Sequence, residues 1–286
     1  MRIRPIATIA AMLALAASAV GLATTAAAAQ DLPAHLRDRG TGVPMSQFGT
    51  YVKKGQLFVY PFFEWYYDSN LEYKPSELGH GLEEDHRGKY RASEGLLFLG
   101  YGVTEDLALE FEAAVISAKL EKSPQDPSSL PAEFKESGLG DVEAQIRWRF
   151  RRETTRRPEL FTYFETVFPF QKHKRLIGTQ SFEFKLGVGA IRGGPSGTWT
   201  VRLATEYNTG EHKFEPGEYA IEYLKQISPR FRTVVVIEGT QIDEVALIGE
   251  IQWRLHRQAV FKLNNGFGLT QNATAFAPEV GVMLSF

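Results

Sequence analysis

The chain contains no cysteine in 286 residues. Disulfides are therefore excluded, and stability must come from a core, a closed hydrogen-bond network or a membrane. Beyond about Leu22 there is no apolar run near the roughly 20 residues that a membrane-spanning helix needs. Neither charge sign is in large excess, with 32 basic against 34 acidic residues, and no basic stripe with interleaved aromatics occurs. That balance argues against nucleic acid as a partner. Histidine is scarce, and none of His35, His80, His86, His173, His212 and His256 lies in a recognisable serine–histidine motif. The chain is read as a non-enzyme without a cofactor or a bound metal. The grouping His80, Glu83, Glu84, Asp85 and His86 lacks fixed ligand spacing and reads as a solvated loop.

At the N-terminus, Arg2 and Arg4 precede an apolar run from about Ile6 to Leu22, and small residues Ala26 to Ala29 precede Gln30. This is the pattern of a secretory signal, residues 1–29, with an Ala-x-Ala-type cleavage site; a retained anchor is the rival reading of the same run. Removing Arg2 and Arg4 leaves 30 basic residues against 34 acidic ones. Residues 30–54 hold Pro33, Gly40, Gly42, Pro44 and Gly49 and show no alternation. They form a segment ahead of the sheet, either a periplasmic tail or a plug that enters a lumen.

From Gln56 onward, apolar and polar residues alternate with period 2, the signature of strands with different surroundings on their two faces. Leu57, Val59, Pro61, Phe63, Trp65 and Tyr67 share one face; Leu109, Phe111, Ala113 and Val115 oppose Glu110 and Glu112. The theme recurs through about twelve strands of the 9–11 residues that a tilted bilayer-spanning strand requires. Long connections, about 69–89 and 121–137, fall on one side and tight turns on the other. The fold read from residues 55–286 is all-β, a transmembrane antiparallel up-and-down barrel. Trp148, Trp199 and Trp253 fall near one set of strand ends and Trp65 near the other, as aromatics at two bilayer interfaces would. Lys225 breaks the pattern on the lipid-facing parity, to be rescued by snorkelling or by a bulge.

The opposite faces carry Glu110, Glu112, Glu143, Arg147, Glu165, Lys185, Arg202, Glu206, Glu222, Arg232, Glu250, Lys262 and Glu279. Such charges cannot stay unpaired in a dry core, so they are expected to line a watered or ion-paired lumen. Eight strands leave an interior filled by side chains and 16–18 an open channel, so twelve predicts a narrow or plugged pore. The acid excess favours cations or neutral polar solutes over anions. The alternative is a structural barrel closed by its own salt bridges, or one that binds lipopolysaccharide through Lys172, His173, Lys174 and Arg175. A soluble periplasmic β protein is the third reading. Arg151, Arg152, Arg156 and Arg157 mark a turn on the periplasmic side.

The closing residues Ala277 to Phe286 read APEVGVMLSF. Gly281-x-x-Leu284-x-Phe286 resembles the C-terminal signal of Gram-negative outer-membrane β-barrels, whose final aromatic strand is read by the barrel-assembly machinery. The resemblance implies export to the bacterial outer membrane, with lipid and lipopolysaccharide as surroundings and a small solute of unknown identity as cargo. Gly138-Leu139-Gly140-Asp141 resembles a motif of the outer-membrane group linked to meta-pathway phenol degradation. That resemblance implies passage of small hydrophobic or aromatic compounds, and it carries no binding residue with it.

Overall fold

The computed structural model describes residues 32–45, 50–240 and 244–286. The expected signal, residues 1–29, lies outside them. A two-stranded ribbon comes first, β1 (Val43–Pro44) with β2 (Tyr51–Val52). Twelve antiparallel strands then close on themselves. The first six are β3 (Leu57–Tyr73), β4 (His86–Gly102), β5 (Leu107–Glu121), β6 (Glu133–Arg151), β7 (Glu159–Phe168) and β8 (Glu183–Gly194). The remainder are β9 (Gly197–Asn208), β10 (Lys213–Gln226), β11 (Phe231–Gly239), β12 (Val245–His256), β13 (Ala259–Gly268) and β14 (Phe276–Ser285). Every strand pairs with its sequence neighbours, and β14 returns to β3. Closure removes the two open edges a twelve-stranded sheet would otherwise present. At the seam, Leu57 and Phe286 exchange both backbone hydrogen bonds, at 3.0 and 2.9 Å.

Alternation decides which side chains point where. Trp148 is 52 % exposed and Leu203 58 %, whereas their inward neighbours Arg147 and Arg202 are buried. This inverts a soluble protein, whose large apolar side chains gather inside. The outward apolar row of β3 runs ten residue steps, from Leu57 to Tyr67. At about 3.3 Å per residue and a tilt near 40°, that is a band about 25 Å tall, the height of a barrel's lipid-facing belt. Tight turns and both barrel termini share one end, the turn end. Trp148, Trp199 and Trp253 lie toward it, the last two in ring contact with Tyr223 and Phe231. Trp65 lies toward the other end, cross-strand from Ser93.

Four strands are longer than the period suggested. β3 to β6 hold 17, 17, 15 and 19 residues, so the connections shrink to 74–85 and 122–132. Beyond the apolar band their outer faces are polar, which hides the alternation; their inner faces stay apolar, with Tyr73 and Leu120 buried together under Leu130 of the 122–132 connection. A bulge in β6 opposite Ala113–Val115 shifts its parity, so Leu139 and Lys135 face outward above it while Ile146 and Trp148 do so below. β10 starts at Lys213, with an irregularity between Pro216 and Tyr219. Lys225 keeps unbroken register with Thr233 and donates to the Pro195 carbonyl at 2.7 Å. A neighbouring turn, rather than a bulge, satisfies it.

Candidate functional site

The interior is layered. Nearest the turn end, residues 32–45 and 50–54 lie across the mouth. Met45, Val43 and Val52 pack against the inward Phe58, Tyr60, Ala108 and Met283, and Tyr51 packs against Phe161, Tyr163 and Ile191. Polar contacts bind the same segment. The Arg39 guanidinium, 1 % exposed, bonds Glu153, reaches Glu159 at 3.2 Å and donates to the Tyr51 hydroxyl at 3.0 Å. Arg149 donates to the Gly42 carbonyl and pairs with Asp106 at 2.9 Å. Asp38 accepts from the Gln226 N–H at 3.1 Å. Two glycines admit this close approach: a Cβ on Gly193 would stand 1.8 Å from the His35 carbonyl oxygen, and one on Gly102 would stand 2.0 Å from that of Lys53.

Above that layer, the inward charges form chains. Glu110 pairs with Arg147 at 3.2 Å; Arg147 donates to Gln145, which donates to Glu165 at 2.7 Å. Lys185 bridges Glu165 at 3.2 Å and Glu218 at 2.7 Å, and Arg202 reaches Glu218 at 3.7 Å. Lys262 pairs with Glu250 at 3.4 Å and lies over the Tyr60 ring, whose hydroxyl bonds Glu279. Cations thus engage Glu110, Glu165, Glu218 and Glu250. What remains is an acid-rich arc. Glu279, Glu64 and Glu94 are cross-strand partners in one continuous row over β14, β3 and β4. Glu112 directly opposes Glu143. Like charges in such positions repel unless water or a counter-ion lies between them.

Two cavities occupy this interior. An inner one of about 200 Å³ is lined by Glu110, Glu112, Glu143, Glu165, Glu279 and Lys262, by the rings of Tyr60, Phe62 and Phe98, and by Met45 and Thr50 of the N-terminal segment. A wider one of about 590 Å³ lies toward the loop end, between Glu64, Glu218, Glu238, Asn264 and Glu279. Glu279 borders both. On the opposite side of the loop end, the β7–β8 connection folds inward. Ile177 is buried against Ala92 and Ala118, and the Leu176 N–H donates to Glu136 at 2.7 Å.

The other expected residues fall in several places. Glu222 is buried within the β10 wall and Glu206 is half-buried toward the loop end. Arg232, cross-strand from Gln226, lies at the level of the N-terminal segment rather than in mid-lumen. Gly281, Leu284 and Phe286 belong to the β14 seam, and the Phe286 ring points outward, 53 % exposed. The cluster of Lys172 to Arg175 divides: Lys174 donates to the Ser137 carbonyl at 2.6 Å and Arg175 to that of Glu77 at 2.9 Å, holding loops together. Gly138 has φ +142°, a backbone conformation that side chains rarely adopt and an ordinary reason for that glycine. In the 74–85 loop, His80 bonds Ser129 at 3.2 Å, while His86 faces Asp126 at 3.8 Å. Sequence reading missed Arg39, Tyr51, Glu153, Glu159 and Glu218. Two of them left a signal: Glu218 continues the inward parity of Ala220 and Glu222, and Glu159 that of Tyr163 and Glu165.

No protein-family model matches the chain, and no curated protein matches it. Solved structures do. The barrel is similar to an outer-membrane channel from Pseudomonas putida F1, with TM-score 0.59 and 12 % identity over 82 % of this chain and 97 % of that one. The translocator domain of the autotransporter NalP from Neisseria meningitidis aligns with TM-score 0.48 and 11 % identity over 82 % and 90 %. The first likeness shows the fold, an antiparallel barrel of the outer-membrane type.

Proposed function

We propose that the protein is an outer-membrane channel for small solutes, occluded at its turn end by residues 32–45 and 50–54. One observation carries the reading: two cavities inside the barrel share Glu279, the wider toward the loop end and the inner one bordered by Met45 and Thr50 of that segment. A lumen that ends on a separable piece of chain has the layout of a gated pore rather than of a filled core. The apolar outer belt and the aromatics at both strand ends support a bilayer as surroundings. Residues 1–29 would direct export, and Gly281, Leu284 and Phe286 would serve assembly. The acid-rich arc of Glu64, Glu94, Glu112, Glu143 and Glu279 favours cations and neutral polar solutes over anions. Rings of Tyr60, Phe62 and Phe98 around the inner cavity suit a small aromatic cargo, in keeping with the phenol-degradation resemblance.

The test is single-channel conductance of the refolded mature protein in a planar bilayer with a salt gradient. Small cation-preferring steps, growing when residues 30–50 are deleted, are expected. Silence after that deletion, with the barrel folded by heat-modifiable gel mobility, overturns the channel reading. It would favour the structural barrel, to which the chain Glu110–Arg147–Gln145–Glu165–Lys185–Glu218 lends support.

A further inference from the structure

The outer surface of the barrel is not uniform around its loop-end rim. On β3 to β6 the outward residues ascend in register. First comes the apolar band, with Val115 and Leu139. Next is a cross-strand row of Trp65, Ser93, Ser117 and Ser137. One rung higher, Tyr67, Arg91, Lys119 and Lys135 are direct neighbours, and the Arg91 guanidinium lies over the Tyr67 ring at 5.4 Å. Lys119 also touches Glu121 at 2.9 Å and Glu133 at 2.8 Å, and Lys135 touches Glu133 at 2.5 Å. With Lys89 opposite Glu121, four bases face two acids, so the patch is net cationic. Elsewhere on the rim the same level is aromatic: Phe182, Phe214 and Phe276.

Height fixes what such a patch meets. Lys119 stands twelve steps along β5 from Leu107, about 30 Å up the barrel at 3.3 Å per residue and a tilt near 40°. That is just past the top of a 25 Å apolar band, at the level of lipid headgroups. Neighbouring cross-strand side chains lie about 5 Å apart, so Arg91 and Lys135 span about 10 Å. That spacing suits phosphates at the two ends of a disaccharide headgroup, with serine hydroxyls below for the sugar and ester oxygens. Arg and Lys bind phosphate by charge-assisted hydrogen bonds.

We infer that the Arg91–Lys119–Lys135 row with Ser93, Ser117 and Ser137 is a binding site for a phosphorylated disaccharide glycolipid of the outer leaflet. The inference rests on the outer-membrane reading of the barrel and is independent of transport.

The test uses the full mature protein in detergent, titrated with diphosphorylated lipid A and with lipid A stripped of both phosphates, bound copies being counted by native mass spectrometry. The wild type is expected to prefer the phosphorylated lipid at least tenfold. The variant Arg91→Gln/Lys119→Gln/Lys135→Gln should lose that preference, and so in part should Arg91→Gln alone. A control of equal charge change on periplasmic-side turns, Arg156→Gln/Arg157→Gln/Arg230→Gln, should keep it. Equal binding of the two lipids by the wild type, or unchanged preference in the row variants, overturns the inference. Flotation of the same proteins with zwitterionic vesicles separates the two premises. Insertion with no phosphate preference removes the glycolipid site alone, whereas a wild type that does not insert removes the outer-membrane reading and the site with it.

Discussion

If the proposed channel reading holds, replacing Arg39 with alanine should open the lumen without harming the barrel. The Arg39 side chain is 1 % exposed and holds three partners, Glu153, Glu159 and the Tyr51 hydroxyl. Removing one member of a buried ion pair costs about 3–5 kcal/mol, because the carboxylates left behind are neither paired nor hydrated. Here the low end applies. Glu153 keeps the Gly193 N–H at 2.8 Å and Arg192 at 3.5 Å, and Glu159 keeps Arg149 at 3.4 Å. A loss of about 3 kcal/mol in the docked state raises the ratio of undocked to docked segment roughly a hundredfold, at 1.4 kcal/mol per tenfold. The strands that close the barrel make none of their ladder bonds to Arg39, so the barrel's resistance to heat and detergent should stay near that of the wild type. The assay is open probability in single-channel recordings, with liposome swelling as a bulk check. Adding Glu153→Gln and Glu159→Gln to Arg39→Ala removes the stranded charges and should restore part of the docking. A folded Arg39→Ala barrel with wild-type conductance and open probability would falsify the ionic clasp as what holds the segment.

Gly102→Ala should loosen the same segment from another direction, because its Cβ would fall 2.0 Å from a backbone oxygen that no side-chain rotation can move; faster proteolysis near Lys53 in the folded protein checks this. Glu112→Gln/Glu143→Gln removes two directly opposed carboxylates from the acid-rich arc and should lower cation preference, read as a smaller reversal potential in a salt gradient. Lys262→Met strands the buried Glu250, which keeps only amide partners, and should cost about 3–5 kcal/mol of barrel stability, measured as a lower transition in heat-modifiable mobility. Hydrogen bonds from Arg152 and then Arg149, opposed by partial burial, hold the Asp106 carboxyl below the usual carboxylate range. Its folded-state value being the lower one, its contribution is complete above the ordinary range near pH 4 and fades as pH falls through the folded value. Protection against hydrogen exchange in the 103–106 turn, taken relative to the intrinsic rate at each pH, should therefore fall on acidification, and Asp106→Asn should abolish that dependence.

Where burial differs between the two faces of a strand, the sequence states it openly. Leu109 to Ala113 and Trp199 to Leu203 alternate without a break, and the structure turns the apolar residues of both runs outward. The upper parts of β4 to β6 were unreadable by that rule, because water and headgroups replace lipid there and the outward residues become Arg91, Lys119 and Lys135. Their inward residues, Tyr90, Leu120 and Phe134, kept the period and were the usable clue. The bulge in β6 hid Leu139 for a related reason: one extra residue reverses parity. The clasp of Arg39 on Glu153 joins positions 114 apart, and contacts of that span leave no periodic trace in a sequence. Glycines at 102 and 193 mark the close approach, but in sequence they look like ordinary strand-end glycines.

Unequal strand length gives the barrel a slanted rim. β3 to β6 run to 15–19 residues, whereas β11, β13 and β14 stop at 9 or 10. The tall side also carries the inward-folded β7–β8 connection against Ala92 and Ala118. The larger cavity borders β10 to β14, beneath the low side. On the channel reading, entry from outside would be confined to one sector of the circumference, with the taller wall screening the opposite one. A reporter cysteine placed at Thr240 or Thr274 should react with bulky reagents that a cysteine at Ile177 escapes.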